Sequence, residues 1–137
     1  MIVAIITAVI FPSVNDYQQT LAYKSDIKKI YSDIKFVQQQ SIITAVQHGI
    51  VFDLNNDCYY LIQDKKTPQV LEKIRLKKVK IKNVNFPDYH QLSFSGPAIF
   101  YKQLGNLDHR NGRIILKYND QEKEIIFSSN AGEINFK

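Results

Sequence analysis

Apolar and polar positions fall into three successive patterns along this chain, and each predicts a different structure. Residues 1–11 are almost devoid of polar side chains and end at Pro12. Such a run is about half of the roughly 20 apolar residues that a helix needs to cross a bilayer. From Tyr17 to about Gln47 there is no Gly or Pro, and apolar residues recur at Tyr23, Ile27, Ile30, Ile34 and Val37, with Ala45 continuing after a polar step at Ser41. Spacings of three and four mark one face of a helix. Lys24, Lys28, Lys29, Ser32, Asp33 and Lys35 fall mostly off that stripe and are expected to face water. A helix running from the start of the chain to Gln47 would be roughly 70 Å long, so its front part is expected to protrude from a domain of this size. Pro12 is expected to kink it, and Gly49 to stop it in a left-handed cap.

After Gly49 the period becomes alternating, which predicts strands. "GIVFDL" and "CYYLIQ" flank Asn55-Asn56-Asp57, residues that tolerate positive φ and join two strands in a hairpin. A loop with Pro68 follows. "VLEKIRL" and "KKVKIKNVNF" alternate apolar and cationic residues, but the parity slips between Leu76 and Val79, which calls for a bulge or a strand break. Pro87 and "DYHQ" punctuate before "LSFS", and Gly96-Pro97 reads as a turn. "AIFYKQLGNLDHRNG" reads as a loop with one short strand. "RIILKY" and "EIIFS" are strands around "NDQEK", and "SSNAGEINF" is a turn and a last short strand. The fold class is therefore α+β, one long helix packed on antiparallel sheet.

Composition narrows the picture. With 137 residues, 45% of them hydrophobic, the chain suits one globular domain with a genuine core. A formal charge of +5 permits attraction to nucleic acid or an anionic surface without establishing either. The single cysteine, Cys58, excludes an intrachain disulfide and a cysteine-based zinc site, and its place in a strand predicts a buried, inert thiol. No Lys or Arg precedes Lys24, so the basic n-region of a secretory signal peptide is missing.

Candidate chemistry is sparse. His48, His90 and His109 are far apart, none with a carboxylate or cysteine at metal-ligand spacing, and Asp108-His109 reads as a solvated loop. Asp53 to Asp57 mimics the first ligands of a calcium loop, with Asp64 twelfth, but Cys58 holds the position that needs glycine. A hairpin turn accounts for it better. No nucleophile, metal or cofactor is assigned, and the chain is read as a non-enzyme. The one feature suited to binding is the cationic strand: Lys73, Arg75 and Lys77 share one parity, and Lys78, Lys80 and Lys82 the other. A bulge would bring most of them to one face for DNA phosphates or an acidic partner, whereas edge strands also carry lysines simply to prevent aggregation.

The apolar stub "IVAIITAVIFPSV", the helix end and first strand "YSDIKFVQQQSIITAVQHGIVFDL", and the later "LSFSGPAIFYKQLGNLDHRNGRIILKY" and "EIIFSSNAGEINF" together resemble type IV pilin-like proteins. More narrowly, they resemble the minor pseudopilins of the H type (GspH/FimT-like). The likeness spans nearly the whole chain. Members of that family begin with a basic leader cut after glycine, a methylated first residue and an early glutamate, whereas no acidic residue here precedes Asp16. Aligned on Pro12, about half of an approximately 20-residue span is expected to be missing, through a start codon assigned too far downstream or a trimmed chain.

The resemblance implies residues 1–22 as a protruding helix, partly membrane anchor and partly fibre core, and 23–137 as the globular pilin domain. Ile2, Val3, Ile5, Ile6, Val9, Ile10, Phe11 and Pro12 would pack in the inner membrane and then against other pilins or pseudopilins of a type IV pilus or type II secretion fibre, near its tip. The globular domain would be periplasmic, reaching a periplasmic pseudopilus or a cell-surface pilus. Two rivals remain. One is a DNA-binding competence pilin, although the tail "GEINFK" lacks the basic motif of such proteins. The other is a cytoplasmic domain whose first helix is simply core.

Overall fold

The three-and-four spacing forms a single helix, α1 (Ile2–Thr44), which continues through Pro12. The structure, a computed structural model, describes the backbone of residues 2–93, 95–108, 111–128 and 133–136, and the side chains of 20–93, 95–108 and 112–127. On α1 the expected stripe is the buried one: Ile30, Ile34, Val37 and Ser41 are essentially inaccessible, and Tyr23 and Ile27 pack against the same core. Ala45, by contrast, is exposed.

The helix stops earlier than expected and by another device. Ala45, with φ 54°, takes the left-handed conformation just after Thr44, at a cost of about 1–2 kcal/mol for a residue with a Cβ. Gly49 is not the cap. It lies inside β1 (His48–Asp53), where a Cβ would overlap the Ile99 carbonyl oxygen and the Phe100 ring on the neighbouring strand. That glycine is required by close approach rather than by φ.

β1 pairs with β2 (Cys58–Gln63) in the expected hairpin, closing at Asp53 opposite Cys58, with Asp57 at φ 49°. β3 (Gln69–Arg75) adds to β2, and β4 (Lys80–Val84) joins a different sheet. The parity slip is thus a strand break. β5 (Asp88–Tyr89) and β6 (Gly96–Tyr101) complete a first sheet in the order β3-β2-β1-β6-β5. β7 (Asn111–Tyr118), β8 (Gln121–Ser128) and β9 (Glu133–Phe136) form a second in the order β4-β7-β8-β9. Every pairing is antiparallel.

Two further expectations are corrected. Gly96-Pro97 does not turn but opens β6, whose six residues are all buried beside β1, while Leu92, Ser93 and Ser95 of "LSFS" lie outside any strand. Proline fits at a strand start, where its missing N–H costs least. The stretch "NDQEK" is mostly strand: Asn119, at φ 51°, and Asp120 make a two-residue turn, with Tyr118 paired to Gln121. The turn expected in "SSNAG" lies outside the described residues except for Ser128, which ends β8.

One core joins all three layers. Ile30, Ile34 and Val37 of α1 meet Ile50, Phe52, Tyr59, Leu61 and Ile99 of the first sheet and Ile81, Ile114, Leu116, Ile125 and Phe127 of the second. Each fully buried side chain of this kind contributes about 1.5–3 kcal/mol. The other face of the first sheet buries Val51, Ile62, Ala98 and Phe100 in a smaller cluster, covered partly by Tyr89 and Leu92.

Candidate interaction surface

Two carboxylates of α1 lock the sheets to the helix. Asp26, 4% exposed, accepts backbone N–H bonds from Lys77 at 3.0 and 3.1 Å, Lys78 at 2.7 Å and Val79 at 3.0 Å. These are the residues that carry the chain from β3 to β4. Leaving one sheet for another strands backbone donors, and a charged acceptor satisfies them strongly. Asp33, also 4% exposed, accepts from the Tyr59 hydroxyl at 2.7 Å and from Lys29 Nζ at 3.0 Å. Burial, reinforced by that hydrogen bond, pushes the Tyr59 hydroxyl far above the ordinary tyrosine pKa, and the bond to Asp33 likewise raises Lys29. Asp33 therefore does not face water. The missed signal was spacing: positions 26 and 33 are seven apart, on one flank of the apolar stripe.

Ser41 continues the stripe for a reason the sequence did not disclose. Its hydroxyl accepts from the His48 N–H at 3.0 Å and lies 2.9 Å from the Val37 carbonyl and 3.0 Å from that of Tyr101, sharing its one proton between them. It pins α1 to β1 and β6. His48, 2% exposed, points Nδ1 at the Val46 carbonyl, 2.8 Å away, so that nitrogen carries the proton. His90 is exposed, and His109 lies outside the described residues. The Asp53–Asp57 segment is a turn in which Asn56 Nδ2 bonds Asp53 Oδ2 at 2.7 Å, and among the described residues no group of His, Cys, Asp and Glu is arranged to hold a metal ion. Cys58 is fully buried in β2.

Four of the six cations lie on two sheet edges and two on the crossing between them. Lys73 and Arg75 lie on β3, the edge of the first sheet, with Lys73 Nζ 5.5 Å from the Tyr60 ring centroid. Lys80 and Lys82 lie on β4, the edge of the second, where Lys82 pairs with Glu122. That lysine depresses the Glu122 carboxyl below its usual range. Lys77 and Lys78 occupy the crossing, exposed, with their backbone tied to Asp26. The side chains of Ile2, Val3, Ile5, Ile6, Val9, Ile10, Phe11 and Pro12 lie outside those described. Among the described residues, no helix is long and apolar enough to cross a membrane.

Two surfaces were not anticipated. Between α1 and β8 lies a depression of about 320 Å³ lined by Tyr23, Lys24, Ile27, Lys28, Tyr31 and Lys123. A second, of about 430 Å³, shares Tyr23 and Lys24 and extends to the β7–β8 turn. Tyr23 stacks on Tyr118 of β7 with ring centroids 4.7 Å apart. Near the end of α1, Gln38 Nε2 donates to the Gly105 carbonyl at 2.8 Å, Ile42 approaches Gly105 closely, and the neighbouring Leu104 is 89% exposed.

No family model matches the chain, and no curated protein matches it in sequence. Among solved structures it is similar to the minor pseudopilin EpsH from the type 2 secretion system of Vibrio cholerae. The TM-score is 0.64 at 12% identity, over 85% of this chain and 95% of that one. Likeness at that identity speaks for the fold: an N-terminal helix packed against antiparallel sheets, as in a pseudopilin.

Proposed function

We propose that the chain is a structural subunit of a pilin-like fibre, a minor pilin or pseudopilin of a type IV pilus or type II secretion system, incorporated near the tip. The observation that carries this reading is the length of α1. Its 43 residues span about 65 Å, roughly twice the diameter of a domain built from the rest of the chain. A helix packed only in its own core has no use for that excess, and the excess is where the apolar run of residues 2–11 lies. The pseudopilin-like fold of the remainder supports the same role. In this reading the apolar run of α1 up to Pro12 rests in the inner membrane and then exchanges lipid for neighbouring helices in the fibre, the remainder of residues 1–22 protrudes from the domain, and 23–137 stay outside.

The test is fractionation of cells that make the protein from its natural gene. It is expected in membranes and, once fibre assembly is induced, in sheared fibres. Recovery only from the soluble fraction, unchanged when the assembly machinery is deleted, overturns the reading.

The exposed Lys77, Lys78 and Lys80 support a second role, contact with DNA. Replacing all three with Gln should weaken duplex binding and flatten its salt dependence. No binding at low salt removes that role.

A further inference from the structure

We propose that the depression between α1 and β8 docks an acidic amphipathic helix of a partner protein. This rests on the fibre-subunit reading and deepens it by naming the surface and the chemistry of one neighbour. The depression and its extension follow α1 from Thr20 to Tyr31, about 17 Å of helix rise, which matches three turns of a second helix. Its floor is Tyr23, Ile27 and Tyr31. Tyrosines offer large, stiff contact area with a polar tip, the side chains around which interface energy concentrates.

The rim selects the sign of the partner's charge. Lys24 and Lys28 stand one turn apart on the helix, and Lys123 faces them from β8. Lys29, Lys82, Lys102 and Arg113 each have a carboxylate partner, but among the described residues these three have none. Asp120 lies only at the far end, by the β7–β8 turn. Carboxylates four residues apart on an apolar helix would meet Lys24 and Lys28 together.

Other occupants fit less well. The opposite flank of this chain, around Asp26, presents Lys77, Lys78 and Lys80, so a second copy approaching with it would oppose like charges. In the fibre-subunit reading Lys24 stands about 18 Å of helix rise beyond Pro12, more than twice the Debye length of about 8 Å, too far to feel lipid headgroups strongly.

The test is photocross-linking in producing cells, with p-benzoylphenylalanine at Tyr31 and, as control, at the half-exposed Phe36, about 140° around the helix. The adduct at Tyr31 is expected to map to a partner peptide with helical apolar spacing and net negative charge. Its yield should fall at least tenfold in Lys24→Glu/Lys28→Glu/Lys123→Glu, with an unchanged circular dichroism melt, and return when the partner's acidic residues are changed to Lys. An adduct on lipid, on a second copy or on a basic peptide overturns the proposal. So does an adduct indifferent to charge reversal, or none. If the protein still enters sheared fibres while the Tyr31 adduct fails, only the docking site falls; if it never enters fibres, the functional reading falls first.

Discussion

At the scale of single residues, two buried tyrosines have opposite roles. Tyr59 donates to Asp33, whereas the Tyr101 hydroxyl is shielded from water without a partner among the described residues. Tyr59→Phe should cost about 1.5–3 kcal/mol at pH 7, the worth of a hydrogen bond to a charged group. Tyr101→Phe should be neutral or stabilising, since it removes an unsatisfied polar atom. Burial raises both hydroxyls above their unfolded pKa of about 10, so their contribution is complete below that pH and declines as pH climbs beyond it, by about 1.4 kcal/mol per pH unit for each group. Tyr89, pushed up to about 12 by desolvation and by Asp64, adds to the loss between those values. Urea denaturation at pH 7 and pH 11 should therefore separate the two variants at pH 7 yet show both less alkali-sensitive than the parent. Equal stability at pH 7 would remove the role given to the Tyr59–Asp33 bond.

Elements depend on contacts that sequence shows only as irregularities. The parity slip after Leu76 was legible, but bulge and break leave the same trace; Asp26, 51 positions before Lys77, decides for a break. Likewise "HG" after a long helix reads as a stop, and only the approach of β6 shows why position 49 excludes a Cβ. Gly96-Pro97 has turn chemistry that burial beside β1 overrides. The hairpin at Asn55-Asn56-Asp57 and the strands β7 and β8 were readable because their signals are local. Asp26→Asn keeps one acceptor oxygen but turns an amine toward N–H donors. It is expected to cost on the order of 3 kcal/mol, with amide exchange of Lys77, Lys78 and Val79 accelerated ahead of the core strands. Unchanged exchange there would show that the crossing holds itself.

For the whole molecule, fold class was readable from an uninterrupted helical stretch followed by alternating strands, and the buried stripe from its spacing. The depressions beside α1 were not, because Lys123 and Tyr118 meet Tyr23 and Lys24 only once β7 and β8 are laid beside α1. The same geometry separates the fibre reading from that of an ordinary domain whose first helix is core. The described contacts of α1 with the sheets run from Tyr23 to Ser41, so residues 20–137 hold every described member of the core cluster. A chain shortened to 20–137 should thus be a monomer without detergent and melt within a few degrees of the parent, while the parent associates through residues 2–11 unless detergent is present. Light scattering coupled to size exclusion and a thermal melt check both. If the short chain unfolds instead, the front of α1 belongs to the domain's own core, and the excess helix is no longer available to a fibre.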